Sequence, residues 1–192
     1  MAGARYLTDT EVDRILEHGF TGVNKTRNQA LFALGLSTGY RISTLLSLKV
    51  TDVVNPDGTI KDRIYIPRRH NKGKKVSMNN RISTKAKEYL HRLVLIASVK
   101  GHRYLFKSRQ RDEAIDPSQA WRVLDKAFRL ARAWDTKGTH AMRKTFAIKY
   151  YENSGHNLIK TKGALGHSDV KTTESYLSYE EADIQNLIES IF

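Results

Sequence analysis

Apolar residues recur at helical spacing along most of the chain and at strand spacing in one short part of it. Leu7 leads into Thr8-Asp9-Thr10-Glu11-Val12, where Thr8 can cap a helix, Glu11 can return the hydrogen bond and Leu7 can staple against Val12. The predicted helix carries Val12, Ile15 and Leu16 and stops near Gly19. A second apolar-periodic stretch runs from about Thr26 to Thr38 through Ala30, Leu31, Leu34 and Gly35. Gly39 breaks it, and a short helix is predicted from Arg41 to Leu48.

The period then changes. Asn55-Pro56-Asp57-Gly58 reads as a turn, and Ile64-Tyr65-Ile66 and Val76-Ser77-Met78 as two short strands. Between them Arg68-Arg69-His70-Asn71-Lys72-Gly73-Lys74-Lys75 forms a basic hairpin tip. Helices resume from Ser83 to about Val99, and again after Asp116-Pro117, where Trp121, Leu124, Phe128 and Ala131 share one face. That aromatic stripe is read as core, not as a platform for stacking bases. Another helix runs from about His140 to Asn153 and ends at Ser154-Gly155, and shorter ones surround Leu158 and Val170. Ile184, Leu187, Ile188 and Ile191 make a last stripe. The expected fold is α+β and mainly α-helical, with one small antiparallel sheet: one domain over residues 1–192, with 180–192 an amphipathic tail.

Composition narrows the function. A chain of 192 residues can bury a proper core, and its lack of cysteine excludes disulfides, thiolate metal sites and cysteine nucleophiles. The start has no apolar signal-peptide core, and the longest apolar run, Ala30 to Leu36, is too short to span a membrane. A soluble intracellular protein is expected, cytoplasmic and nucleoid-associated, or virus-encoded and acting in a host cell. The formal charge of +13 points to a polyanionic partner. From Lys61 to Arg111 there are sixteen Lys and Arg against two acids, whereas from Asp169 to the end six acids face one Lys. A basic body implies nucleic acid, held through backbone phosphates and weakening steeply with salt. The acidic tail implies a protein contact.

Three stretches carry the candidate chemistry. Ser37-Thr38-Gly39-Tyr40-Arg41-Ile42-Ser43 sets Arg41 just past a glycine turn. Thr139-His140-Ala141-Met142-Arg143-Lys144-Thr145-Phe146 puts His140 and Arg143 on one helix face at i and i+3. Leu165-Gly166-His167-Ser168-Asp169-Val170 is followed, nine residues after His167, by Tyr176. Phosphodiester exchange without a metal needs two guanidinium forks for the charge gathering on the phosphate oxygens. It also needs a nucleophile, which a tyrosine hydroxyl becomes once its proton is accepted, and a donor for the departing 5′ oxygen, which a hairpin lysine can be. No acidic cluster suited to a two-metal nuclease, no H-E-x-x-H and no P-loop occurs.

Together, T-G-Y-R at Arg41, H-A-M-R-K-T-F-A at 140 to 147, and L-G-H-S with Tyr176 resemble the signature boxes of the tyrosine recombinase (phage integrase) family, over about Leu7 to Tyr176. The resemblance implies the family's catalytic fold and specific roles. Arg41 and Arg143 clamp the scissile phosphate, His140 and His167 orient it and assist proton transfer, and Tyr176 forms a 3′-phosphotyrosine with release of a 5′ hydroxyl. It nominates Lys72 as general acid, with Lys74 and Lys75 as alternatives in the same hairpin, and Tyr179 as the rival to Tyr176. Arg68, Arg69, Lys74, Lys75 and Lys144 are expected on DNA. Neither ATP nor a metal is implied. The implied partners are duplex DNA, further copies in a tetrameric synapse, and a separate DNA-clamp domain or accessory protein, with no membrane.

Two departures stand out. Where many members carry an acid three positions after the first arginine this chain has Thr44, and it begins almost at the first helix of the catalytic domain, as an excised fragment or a naturally short member would. Taken singly, each residue has an ordinary reading: a capping arginine, a solvated His/Arg helix face, a core tyrosine, a solvated hairpin tip. Those readings do not predict the ordered set. The competing functions are type IB topoisomerase-like nicking and rejoining, and a catalytically inactive DNA-binding protein.

Overall fold

The capping box at the first helix is formed. The Glu11 amide donates to Thr8 Oγ1 at 3.3 Å, and the Thr8 amide donates to a Glu11 carboxylate oxygen at 2.9 Å. It opens α1 (Asp9–Arg14), which runs on through one π-helical turn, Ile15–Gly19. This computed structural model describes residues 5–70, 76–111, 113–134, 136 and 138–177. After α1 come α2 (Lys25–Thr38), α3 (Ile42–Leu46), the short α4 (Val50–Val53), β1 (Arg63–Ile66), β2 (Met78–Arg81) and α5 (Thr84–Val99). The chain continues through α6 (Pro117–Leu130), α7 (His140–Asn153), α8 (Leu158–Leu165) and α9 (Val170–Leu177). No described helix is long and apolar enough to cross a membrane.

Helix α2 is the axis of the domain. It packs against α5 and α7, and residues on nearly all its sides are buried, as expected of a core helix without a polar face. Phe32 sits between Phe20 and Phe128, with ring centres 5.8 and 6.1 Å away. Buried phenylalanines of this kind are worth roughly 3–5 kcal/mol each, so this cluster anchors α1 and α6 to the axis. A smaller cluster, Ala147, Leu165 and Leu177, holds α8 and α9 on α7, with Phe146, Leu158 and Tyr176 packed around it.

The sheet is the antiparallel pair β1 and β2, with Arg63 opposite Arg81 and Ile66 opposite Met78. Its second strand begins where the apolar run 76–78 ends, so Val76 and Ser77 precede it, a correction to the sequence reading. Side-chain anchoring selects this register. The Asn80 amide donates to the Tyr40 hydroxyl at 3.0 Å, and Asn80 Nδ2 donates to the carbonyls of Thr38 at 2.6 Å and Ala164 at 2.7 Å. The buried Tyr40 hydroxyl in turn donates to the Ile64 carbonyl. Burial pushes its pKa up to about 12, which keeps it a neutral structural phenol.

Two more expectations change. Trp121 does not join the core stripe: it is 43% exposed, whereas Leu124, Phe128 and Ala131 are fully buried. Its indole instead covers Gly138, where a Cβ would lie 2.5 Å from the ring nitrogen. Arg68–His70, assigned to the hairpin tip, form one 3-10 turn after β1. Lys72, Lys74 and Lys75 lie outside the described residues, as do Tyr179 and the tail 180–192.

Candidate active site

Three chain reversals converge on one cluster of side chains. Helix α2 ends on Gly39 in the left-handed conformation (φ 63°), which turns the chain so that half-buried Arg41 becomes the residue capping α3. Phe146 packs where a Gly39 side chain would sit, with a ring carbon 2.2 Å from the ideal Cβ. On α7, His140 is the first residue and exposed, whereas Arg143, one turn on, is 97% buried. Helix α8 closes on Gly166, and the reversal there buries His167 before α9 begins with Val170.

Arg143 ties these reversals together. Its Nη1 donates to the Gly39 carbonyl, and its Nη2 to the Leu165 carbonyl at 2.7 Å and to His167 Nε2 at 2.8 Å. Its Nε is buried with no hydrogen-bond partner among the described residues. The guanidinium carbon lies 5.7 Å from the centre of the Tyr176 ring, and the His167 and Tyr176 rings are 5.4 Å apart. His167 Nδ1 is 2.9 Å from Thr173 Oγ1.

Charge in the cluster is one-sided. Burial, then the repulsion of Arg41, lowers the Arg143 pKa to about 10, with Tyr176 pulling the other way, so the side chain stays cationic at neutral pH. Burial, then Arg143 and Arg41, lowers His167 to about 4 and leaves it neutral. No carboxylate of the described residues figures among these influences. Thr44, where many members carry an acid, is a buried neutral residue on α3. Two guanidiniums, a neutral imidazole and an orphan N–H that costs about 1–3 kcal/mol while unpaired make a site suited to an anion with several oxygens.

The His167 shift has a consequence for stability. An unfolded histidine titrates near 6.5, and the folded one resists protonation down to about 4, so the unfolded chain binds the extra proton in between. The stability it confers is complete above pH 6.5 and is lost as pH falls toward 4. In urea unfolding, the wild type should lose about 2 kcal/mol more between pH 7 and 4.5 than His167→Asn does.

The cluster brings together Arg41, Arg143, His167 and Tyr176. His140 stands at the exposed head of α7, Lys144 beside Arg143 is half-buried, and Arg68 and Arg69 are exposed on the turn after β1. The sequence reading missed Thr173, Tyr40 and Asn80. Thr173 carried a faint signal, lying three residues before the candidate nucleophile on one helix face. Asn80 carried none, because its partners lie 42 and 84 residues away.

The sequence model of the phage integrase family matches residues 5–182. The chain belongs to that family. Among curated relatives, a probable integrase/recombinase YoeC of Bacillus subtilis is 30% identical over 156 residues, covering 81% of this chain and 79% of its own length. Tyrosine recombinase XerD of Oceanobacillus iheyensis is 28% identical over 96% of this chain, which spans 61% of that protein. The fold agrees: the crystal structure of XerA recombinase superposes with a TM-score of 0.78 at 22% identity, over 98% of this chain and 66% of that one. The XerH site-specific recombinase bound to its difH substrate before cleavage gives 0.72 at 21% identity, over 95% and 53%. The mainly helical architecture, with one two-stranded sheet among the described residues, is thus that of a tyrosine recombinase catalytic domain.

Proposed function

We propose that this integrase-family domain is a site-specific recombinase that cleaves and rejoins DNA strands through a phosphotyrosine at Tyr176. The observation that carries the reading is the buried Nε of Arg143 beside Tyr176, partnerless among the described residues, in a cationic cluster with Arg41. A phosphate supplies the missing acceptor, and Arg41 supplies the second fork. Tyr176 Oη bonds to phosphorus as the bond to the 5′ oxygen breaks. The phenolic proton passes to a base, a transfer that His140 and His167 assist, and the 5′ oxygen takes a proton from Lys72, or from Lys74 or Lys75. Attack by a 5′ hydroxyl on the phosphotyrosine reverses these bonds and restores the tyrosine. Because the bond energy stays in the covalent link, rejoining needs no nucleotide hydrolysis. His140, Arg68, Arg69 and Lys144 hold and orient the duplex, and the acidic tail 180–192 joins copies in a multimer on DNA.

The test is a duplex that the protein binds in a gel shift, nicked next to the cleavage position so that a short 5′ fragment diffuses away. A covalent adduct is expected on a denaturing gel, absent in Tyr176→Phe and present in Tyr179→Phe. No adduct on bound DNA would leave a binding-only protein. Relaxation of supercoiled plasmid by the monomer would favour the topoisomerase reading.

A further inference from the structure

We infer that Thr173 is a positioning residue: Arg143 fixes His167 as its Nδ1–H tautomer, and the Thr173 hydroxyl accepts that proton and so holds the ring with Nε2 on the Arg143 side. The geometry leaves one assignment. A guanidinium has donors and no acceptor, so the 2.8 Å contact between Arg143 Nη2 and His167 Nε2 requires a lone pair on Nε2. A neutral imidazole carries one N–H, which must then sit on Nδ1. Nδ1 is 2.9 Å from Thr173 Oγ1, and the hydroxyl oxygen accepts that proton. Neutrality follows from the surroundings: His167 is buried, with Arg143 and Arg41 pressing on it and Tyr176 and Thr173 as its other polar neighbours.

Thr173 is itself fully buried and lies three residues before Tyr176 on α9, so one helix face meets the imidazole twice, through the hydroxyl and through the phenol ring. The hydrogen bond therefore sets how the imidazole is held and where the nucleophile's helix sits against it. With valine at 173 the buried Nδ1–H loses its acceptor. The other tautomer would aim a proton at a guanidinium, so the ring keeps its proton on Nδ1 and loses its fixed orientation instead. The effect of that loss on the reaction rests on the phosphotyrosine reading above; the tautomer assignment does not.

The experiment uses the full chain labelled with ¹⁵N-histidine. Long-range ¹H–¹⁵N spectra at pH 7 distinguish the tautomers, and His167→Gln identifies the His167 signals among the seven histidines. The expected wild-type pattern has the proton on Nδ1, and a wild-type Nε2–H pattern or a protonated ring would overturn the inference whatever the variants do. Thr173→Val is expected to keep the proton on Nδ1 but to move its signal away from the hydrogen-bonded position, and to slow adduct formation on the nicked duplex by on the order of tenfold or more, with unchanged gel-shift affinity. Thr173→Ser, which keeps the hydroxyl, should restore both. Valine that leaves the Nδ1–H signal and the rate as in wild type would show that Thr173 positions nothing. If wild type shows the Nδ1–H pattern but forms no adduct on bound DNA, the assignment of the Nδ1–H to Thr173 stands and the catalytic reading fails.

Discussion

Arg143→Lys is expected to slow covalent adduct formation by on the order of 10²–10³-fold while leaving much of the affinity for DNA intact. Preorganised donors aimed at developing charge are worth that much when a single one is removed. Arg143 spends three contacts on protein, to the Gly39 and Leu165 carbonyls and to His167, and its buried Nε has no hydrogen-bond partner among the described residues. A lysine ammonium is one compact point charge on a flexible stem, and it cannot reach acceptors spread around a planar fork. It either keeps the carbonyls and abandons the phosphate or does the reverse. Abandoning a buried carbonyl costs about 1–3 kcal/mol, so a lower urea midpoint should accompany the lost rate. Single-turnover adduct formation at saturating protein separates the two effects. A lysine variant that cleaves at the wild-type rate would mean that the orphan Nε is no phosphate ligand.

Gly39→Ala should destabilise the domain by about 2–5 kcal/mol. The left-handed backbone at φ 63° costs an L-residue about 1–2 kcal/mol, and forcing a methyl group against a packed ring adds about 1–3 kcal/mol. The added Cβ lies 2.2 Å from a Phe146 ring carbon, and Phe146 belongs to the cluster that seats α8 and α9. Relief of the clash must therefore move either that cluster or the Gly39 carbonyl that Arg143 holds. Cleavage should fall further than the fraction unfolded accounts for. Gly22→Ala is the control: its φ of 74° carries the same backbone cost, but nothing lies within 4 Å of the added methyl group. It should lose only about 1–2 kcal/mol and leave the cleavage rate of the folded protein unchanged. Equal losses at the two positions would mean that the Phe146 contact contributes nothing.

The helices were legible because their signals are local. Thr8 and Glu11 cap α1 within four residues, Asp116 and Pro117 start α6, and the apolar run of α2 lies within its own fourteen residues. The order of the catalytic boxes was legible for the same reason: a guanidinium, an imidazole and a phenol at set spacings describe a reaction whatever surrounds them. The second strand was misread because Val76-Ser77-Met78 has strand periodicity, whereas the anchors that choose the register are carbonyls on α2 and α8. Trp121 was misread because helical phase cannot tell whether the first turn of a helix lies over the core or over the turn that precedes α7.

For this protein, then, the sequence by itself determined which residues could take part in the chemistry, where the longer helices lie, and the positive charge that calls for a polyanion. These are properties of residue types and of neighbours within a few positions along the chain. Tertiary structure alone decided that Arg143 is buried while His140 remains exposed, that His167 is neutral, and that Thr173 is its partner. Those outcomes depend on desolvation and on hydrogen bonds closing between α2, α7, α8 and α9. Such effects fall off over a few ångströms of space and bear no fixed relation to distance along the chain.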